Sequence, residues 1–179
     1  MEMIVSVGLF IIVMTIALTA ILSMINANRK AQSLKSVMNN LNLALENMSR
    51  DIKFGKDYYC GSGPLADPPL INARLDCFSG SPGNLLSYTS KSGLQVVYRL
   101  NGTKIERSIS PNSGGAWVPA TAPAPEITIN SLKFIVQGSR VGDDLQPTVI
   151  MVISGFAGGR TTKSDFSIQT TISQRVPDS

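Results

Sequence analysis

From Met3 to Ile25 the chain reads MIVSVGLFIIVMTIALTAILSMI, roughly 23 residues with neither a charge nor a proline. As a helix rising about 1.5 Å per residue this run is about 35 Å long, enough to cross a bilayer. Water is not its solvent. Ser6, Gly8, Thr15, Ala17, Thr19, Ala20 and Ser23 recur through the run. Small residues let helix backbones approach closely, and hydroxyls bond across packed interfaces. Gly8, Ile12, Thr15, Thr19 and Leu22 are therefore the candidate bundle interface. A cleavable signal peptide fits poorly, because no basic segment precedes the run, it holds no small-x-small cleavage site and it is too long.

Helical periodicity does not stop where the apolar run stops. Leu34, Val37, Met38, Leu41, Leu45, Met48 and Ile52 continue at three- and four-residue spacing, opposite Lys30, Lys35, Asn39, Asn40, Asn42, Glu46, Asn47 and Arg50. This second stretch is amphipathic and is expected to lie against a folded domain until Gly55 and the turn-rich CGSGP at 60–64 stop it. A single helix of about 50 residues results, apolar all round over residues 1–28 and one-sided over 29–54. A heptad coiled coil would also use such a stripe, but the stripe is short for one and a β-rich sequence follows.

Composition then narrows the function. The 179 residues suffice for one compact domain plus an extended element; 43% are hydrophobic and only 16% charged. A net charge of +4, with Lys and Arg scattered, gives no nucleic-acid footprint. Histidine is absent, which removes the Ser-His-Asp and Cys-His arrangements and the commonest general base near neutral pH. The chain is expected not to be an enzyme. Cys60 and Cys77 are the only cysteines, too few for a thiolate metal site; one disulfide between them is the simpler account and implies an oxidising compartment. Asp143 and Asp144 are adjacent without the ligand spacing of a calcium site, so no metal and no cofactor are expected.

Glu2 is the one acid at the apolar helix. Its position suits the helix dipole, yet a carboxylate taken into lipid costs several kcal/mol unless paired or neutralised. With that residue the stretch EMIVSVGLFIIVMTIALTAI resembles the N-terminal segment of type IV pilins and type II secretion pseudopilins, whose processed chains begin Phe-Thr-Leu-Ile-Glu before a hydrophobic helix. Here Met1 stands directly before Glu2. The resemblance covers roughly the first 55 residues. It implies an α+β lollipop: the long helix packed on an antiparallel sheet of four to six strands. It also implies assembly through Glu2, pairing with the N-terminal amine of a neighbour, which makes Met1 the second assembly residue. The partners implied are copies of the chain or other pilins, the inner membrane before assembly and the assembly machinery, with no specific nucleic acid. The roles implied are adhesion, motility, uptake or secretion by an extracellular filament, with a minor pseudopilin as the alternative within the family. A membrane-tethered extracellular binding domain is the rival outside it. Arg29, Lys30 and Lys35 follow the span, and the positive-inside rule taken alone would put the head in the cytoplasm. The disulfide and the resemblance put it outside.

Residues 55–93 are rich in Pro, Gly, Ser, Asp and Asn and read as a disulfide-containing loop region; residues 94–179 read as the sheet. LQVVYRLNGTKIERSI is expected to form a hairpin about Asn101-Gly102, with Leu100 opposite Thr103. Val96, Tyr98, Ile105, Arg107 and Ile109 then share the face that covers the helix, and Arg99, Lys104 and Glu106 share the other. GGAWVPATAPAPE cannot enter a central ladder, and further strands are expected at 131–137, 148–154 and 165–175.

Overall fold

The computed structural model describes residues 2–62, 70, 72–121, 127–142, 145–157 and 164–175, with the side chains of 33, 36 and 37 excepted. Met1, Asp143, Asp144 and the side chain of Val37 lie outside the described residues. The protein is α+β. Among the described residues a helix, α1 (Glu2–Lys53, 52 residues), precedes eight strands. Its proline-free sequence lets it run unbroken. The part apolar enough to span a membrane is Glu2–Gln32, 31 residues, so the expected length of about 50 describes the whole helix and not its apolar part.

The strands are β1 (Lys56–Gly61), β2 (Leu85–Thr89), β3 (Gln95–Asn101), β4 (Lys104–Ile109), β5 (Trp117–Pro119), β6 (Ile127–Gln137), β7 (Thr148–Ala157) and β8 (Ser164–Ser173). They form two antiparallel sheets, β1-β2-β3-β4-β5 and β6-β7-β8, where one sheet of four to six strands was expected. The break falls at the Pro/Ala-rich connection: its first part makes β5, a three-residue edge strand on β4, and the prolines beyond have no amide to donate to a ladder.

The loop region also needs correction, because it contains β1 and β2. Tyr58 and Cys60 alternate inward on β1, so Cys60 and Gly61 end a strand instead of opening a turn. The segment between the two strands is a strap that pairs on both sides. Leu75 bonds β1 (Cys60 N to Leu75 O, 2.9 Å; Leu75 N to Tyr58 O, 3.1 Å). Cys77 and Gly83 each exchange two bonds with β6, on Val136 and Phe134, at 2.8 to 3.1 Å. The Cys60–Cys77 disulfide, with Cα atoms 5.7 Å apart, fastens the strap to β1. A Cβ on Gly83 would stand 2.5 Å from Cys60 Sγ, so glycine is what fits beneath the bridge.

The hairpin keeps the expected faces with a different turn. Asn101 pairs with Lys104 and Leu100 with Ile105, which leaves Gly102-Thr103 as the turn. Gly102 has φ 59° and Thr103 is not among the positive-φ residues, the sign pattern of a type II′ turn with glycine first. The type I′ alternative needs positive φ at Asn101 as well.

Both sheets and the helix share one core. Leu41, Leu45, Met48 and Ile52 are buried with Tyr58, Tyr88, Tyr98 and Ile105 of one sheet and Ile129, Phe134, Met151 and Ile153 of the other. Burial of those four helix side chains contributes about 2 kcal/mol each. The helix ends against the head: Gly55 N bonds Ile52 O at 2.9 Å, Arg175 N bonds Lys53 O at 3.0 Å, and the Tyr58 hydroxyl lies 2.7 Å from Ile52 O. Carbonyls of the last turn, which lack partners within a helix, thus find them in the fold.

Closing the strap loop stabilises by about 3 kcal/mol in the chain-entropy model. Replacing both Cys60 and Cys77 by Ala is expected to lower the melting temperature by about 10 °C, read by circular dichroism. A change of under about 2 °C would show that the strap's backbone pairing holds it without the bridge.

Candidate functional site: the exposed helix half and its seam with the head

Among the described residues nothing covers the apolar part of α1. Its mean hydropathy is 2.7, none of it is buried, and its large side chains run from 43% exposed at Ile25 to 83% at Met3. Further along the same helix, Leu41 stands at 1% and Ile52 at 0%. One helix therefore meets two environments, and the change falls between Gln32, fully on the outside, and Leu34, half-buried against the core. More than a dozen large apolar side chains are left facing outward. At about 1.5 kcal/mol or more for each, their hydration costs more than the roughly 5–15 kcal/mol by which a domain is stable.

Three hydroxyls of this half bond back onto the helix's own carbonyls. Ser6 donates to the Glu2 carbonyl at 2.9 Å, Thr15 to Ile11 at 2.6 Å and Thr19 to Thr15 at 2.7 Å. Hydroxyl donors satisfied in this way suit an apolar medium, and they are not available to bond across a helix interface as the sequence alone allowed.

Gly8, Ile12, Thr15, Thr19 and Leu22 follow one another in steps of four and three, so they form one stripe, and all are exposed. A Cβ on Gly8 would meet nothing within 4 Å. Glu2 lies in the first turn of α1, roughly a third of a turn around the axis from that stripe. The helix thus does not join Glu2 and the stripe into one face. The first basic side chain along α1 is Arg29, about 40 Å from Glu2 along the axis. No cation on the helix reaches the carboxylate.

The seam where α1 meets the head carries the other charged feature. Asp51 accepts from the Tyr98 hydroxyl at 3.4 Å and pairs with Arg107 at 3.2 Å. The sequence did not single out Asp51; its signal was Arg107, a cation on the apolar face of the hairpin that required a partner from the helix. Tyr88 lies beside Tyr98, ring centroids 6.3 Å apart. Burial is the main cause that pushes the Tyr98 phenol up to about 12, and burial then Tyr98 and Asp51 push Tyr88 further up. Cys60 and Cys77, the remaining sequence candidates, belong to the strap. Among the described residues no group of three or more His, Cys, Asp or Glu is placed to hold a metal.

Compared with family models, curated proteins and solved structures, the chain matches none.

The neutral phenol is the folded form of Tyr98, so its folded pKa of about 12 lies above the ordinary 10.0. Its stability contribution is complete below pH 10.0 and is lost as pH rises through about 12. Tyr98→Phe is expected to shift the alkaline unfolding midpoint upward, measured by denaturation between these limits. An unchanged midpoint would place the alkaline sensitivity elsewhere.

Proposed function

We propose that this chain is a structural subunit of a type IV pilus-like or pseudopilus-like filament, with a pilin-type lollipop fold. In this reading the apolar halves of α1 bundle into a central core and the two-sheet heads form an outer layer. The observation that carries it is the contrast within one helix: among the described residues nothing covers residues 2–32, whereas Leu41, Leu45, Met48 and Ile52 are seated in the core. A head with a complete core does not need the apolar half for its own folding. The apolar half therefore awaits lipid first and other helices afterwards, which makes the membrane and copies of the chain, or related subunits, the partners.

Glu2 is the assembly residue of this reading. Its carboxylate in an apolar surround demands a cation, and the helix supplies none within about 40 Å. A neighbouring subunit's terminal amine meets that demand. The head lies outside the cell, where the Cys60–Cys77 bridge persists. The role is mechanical and recognitional, without catalysis.

Glu2→Ala is expected to reduce filament protein sheared from producing cells at least tenfold while leaving the membrane-held chain at its normal level, measured by immunoblot of both fractions. Equal sheared yield from Glu2→Ala would overturn the assembly role, and absence of sheared protein from the unaltered chain would leave a membrane-tethered head.

A further inference from the structure

Arg29, Lys30 and Lys35 follow the apolar run of α1, and the packed head leaves all three exposed. Among the described residues none of them takes part in an ion pair. No Asp or Glu occurs between Glu2 and Glu46, and Glu46 pairs with Arg50. Three cations thus stand together at the end of a span without a counter-charge on their helix.

The helix sets their depth. The uncharged run from Met3 to Ile25 is about 35 Å long and covers the roughly 30 Å hydrocarbon layer of a bilayer. Arg29 and Lys30 come about 6–8 Å further along the axis, and the headgroup layer is itself about 5–8 Å thick. Lipid phosphates therefore lie level with these two side chains. Lys35, about 15 Å beyond Ile25, leans back toward that level, because helical side chains tilt toward the N-terminus and a lysine stem is long. At 100° per residue the three cations are separated by about 100°, 140° and 120° around the axis. A docked protein would meet one side of the helix. Cations spread all round it suit a partner that surrounds it, as a lipid leaflet does.

We propose that Arg29, Lys30 and Lys35 form a collar that binds the phosphates of anionic phospholipids in the leaflet bordering the head. Arg29 holds a phosphate with two parallel N–H donors, and the two lysines act as point charges. Each cation near an anionic surface favours association by a factor of about five. The collar rests on the membrane part of the proposed function and not on filament assembly. It gives the cations that follow the span a partner other than the one the positive-inside rule implies.

The test is electron spin resonance of the full chain reconstituted in phosphatidylcholine bilayers that carry a trace of spin-labelled phosphatidylglycerol or of spin-labelled phosphatidylcholine. The motionally restricted fraction of each probe reads its association with the chain. At low salt phosphatidylglycerol is expected to associate about fivefold more strongly than phosphatidylcholine. This preference is expected to fall below about twofold at high salt and in the triple variant Arg29→Gln/Lys30→Gln/Lys35→Gln. It is expected to persist in Lys133→Gln, which removes an exposed cation of β6. The three collar positions lie outside the core, so the triple variant is expected to keep the melting temperature of the head. Equal association of the two lipids overturns the proposal, and so does a preference that the triple variant retains. A preference abolished by inorganic phosphate at constant ionic strength also overturns it, by marking a site for free phosphate. No arm requires filaments, so this proposal and the filament reading fail separately.

Discussion

The seating of Leu41, Leu45, Met48 and Ile52 in a core common to both sheets is the contact on which the rest of the molecule depends. Those side chains set the helix's rotation about its axis and so decide that Asp51 faces Tyr98 and Arg107. They also define where the head ends. Past Leu34 toward the N-terminus no described residue covers the helix, and its apolar surface is presented over about 45 Å.

One short segment closes the gap between the two sheets. Two sheets that share a core still expose the edges of β1 and β6 toward each other, and unpaired edges invite pairing with other chains. The strap fills that gap by bonding β1 through Leu75 and β6 through Cys77 and Gly83. The disulfide then anchors a segment with little apolar surface of its own.

Much of this was legible in the sequence, for reasons that can be located. The uninterrupted run from Met3 and the stripe through Ile52 made the helix and its two environments visible, because apolar periodicity reports burial directly. The hairpin faces were legible too, with Tyr98 and Arg107 together and Arg99 beside Glu106. The turn was not, since moving the register by two residues leaves every side chain on its face, and alternation cannot distinguish the two pairings. The split into two sheets was hidden for a similar reason: each strand records its own inward face, not which neighbour it pairs with. The strands at Lys56–Gly61 and Leu85–Thr89 were obscured by the Gly- and Pro-rich strap between them. Of the candidate site, Glu2 and the stripe from Gly8 to Leu22 were readable as residues, whereas their exposure is a property of the fold. The Asp51 seam needed the packed structure.

The most direct test of the central claim, that the partnerless half of α1 is buried by other copies of the chain, is electron cryo-microscopy of material sheared from cells producing it. The account predicts filaments in which residues 2–32 lie at the axis, each helix surrounded by its neighbours' helices, while residues 41–52 remain seated in their own head. Dispersed monomers held by membrane alone, or filaments in which the heads touch and the apolar helices stay outside the core, would contradict it.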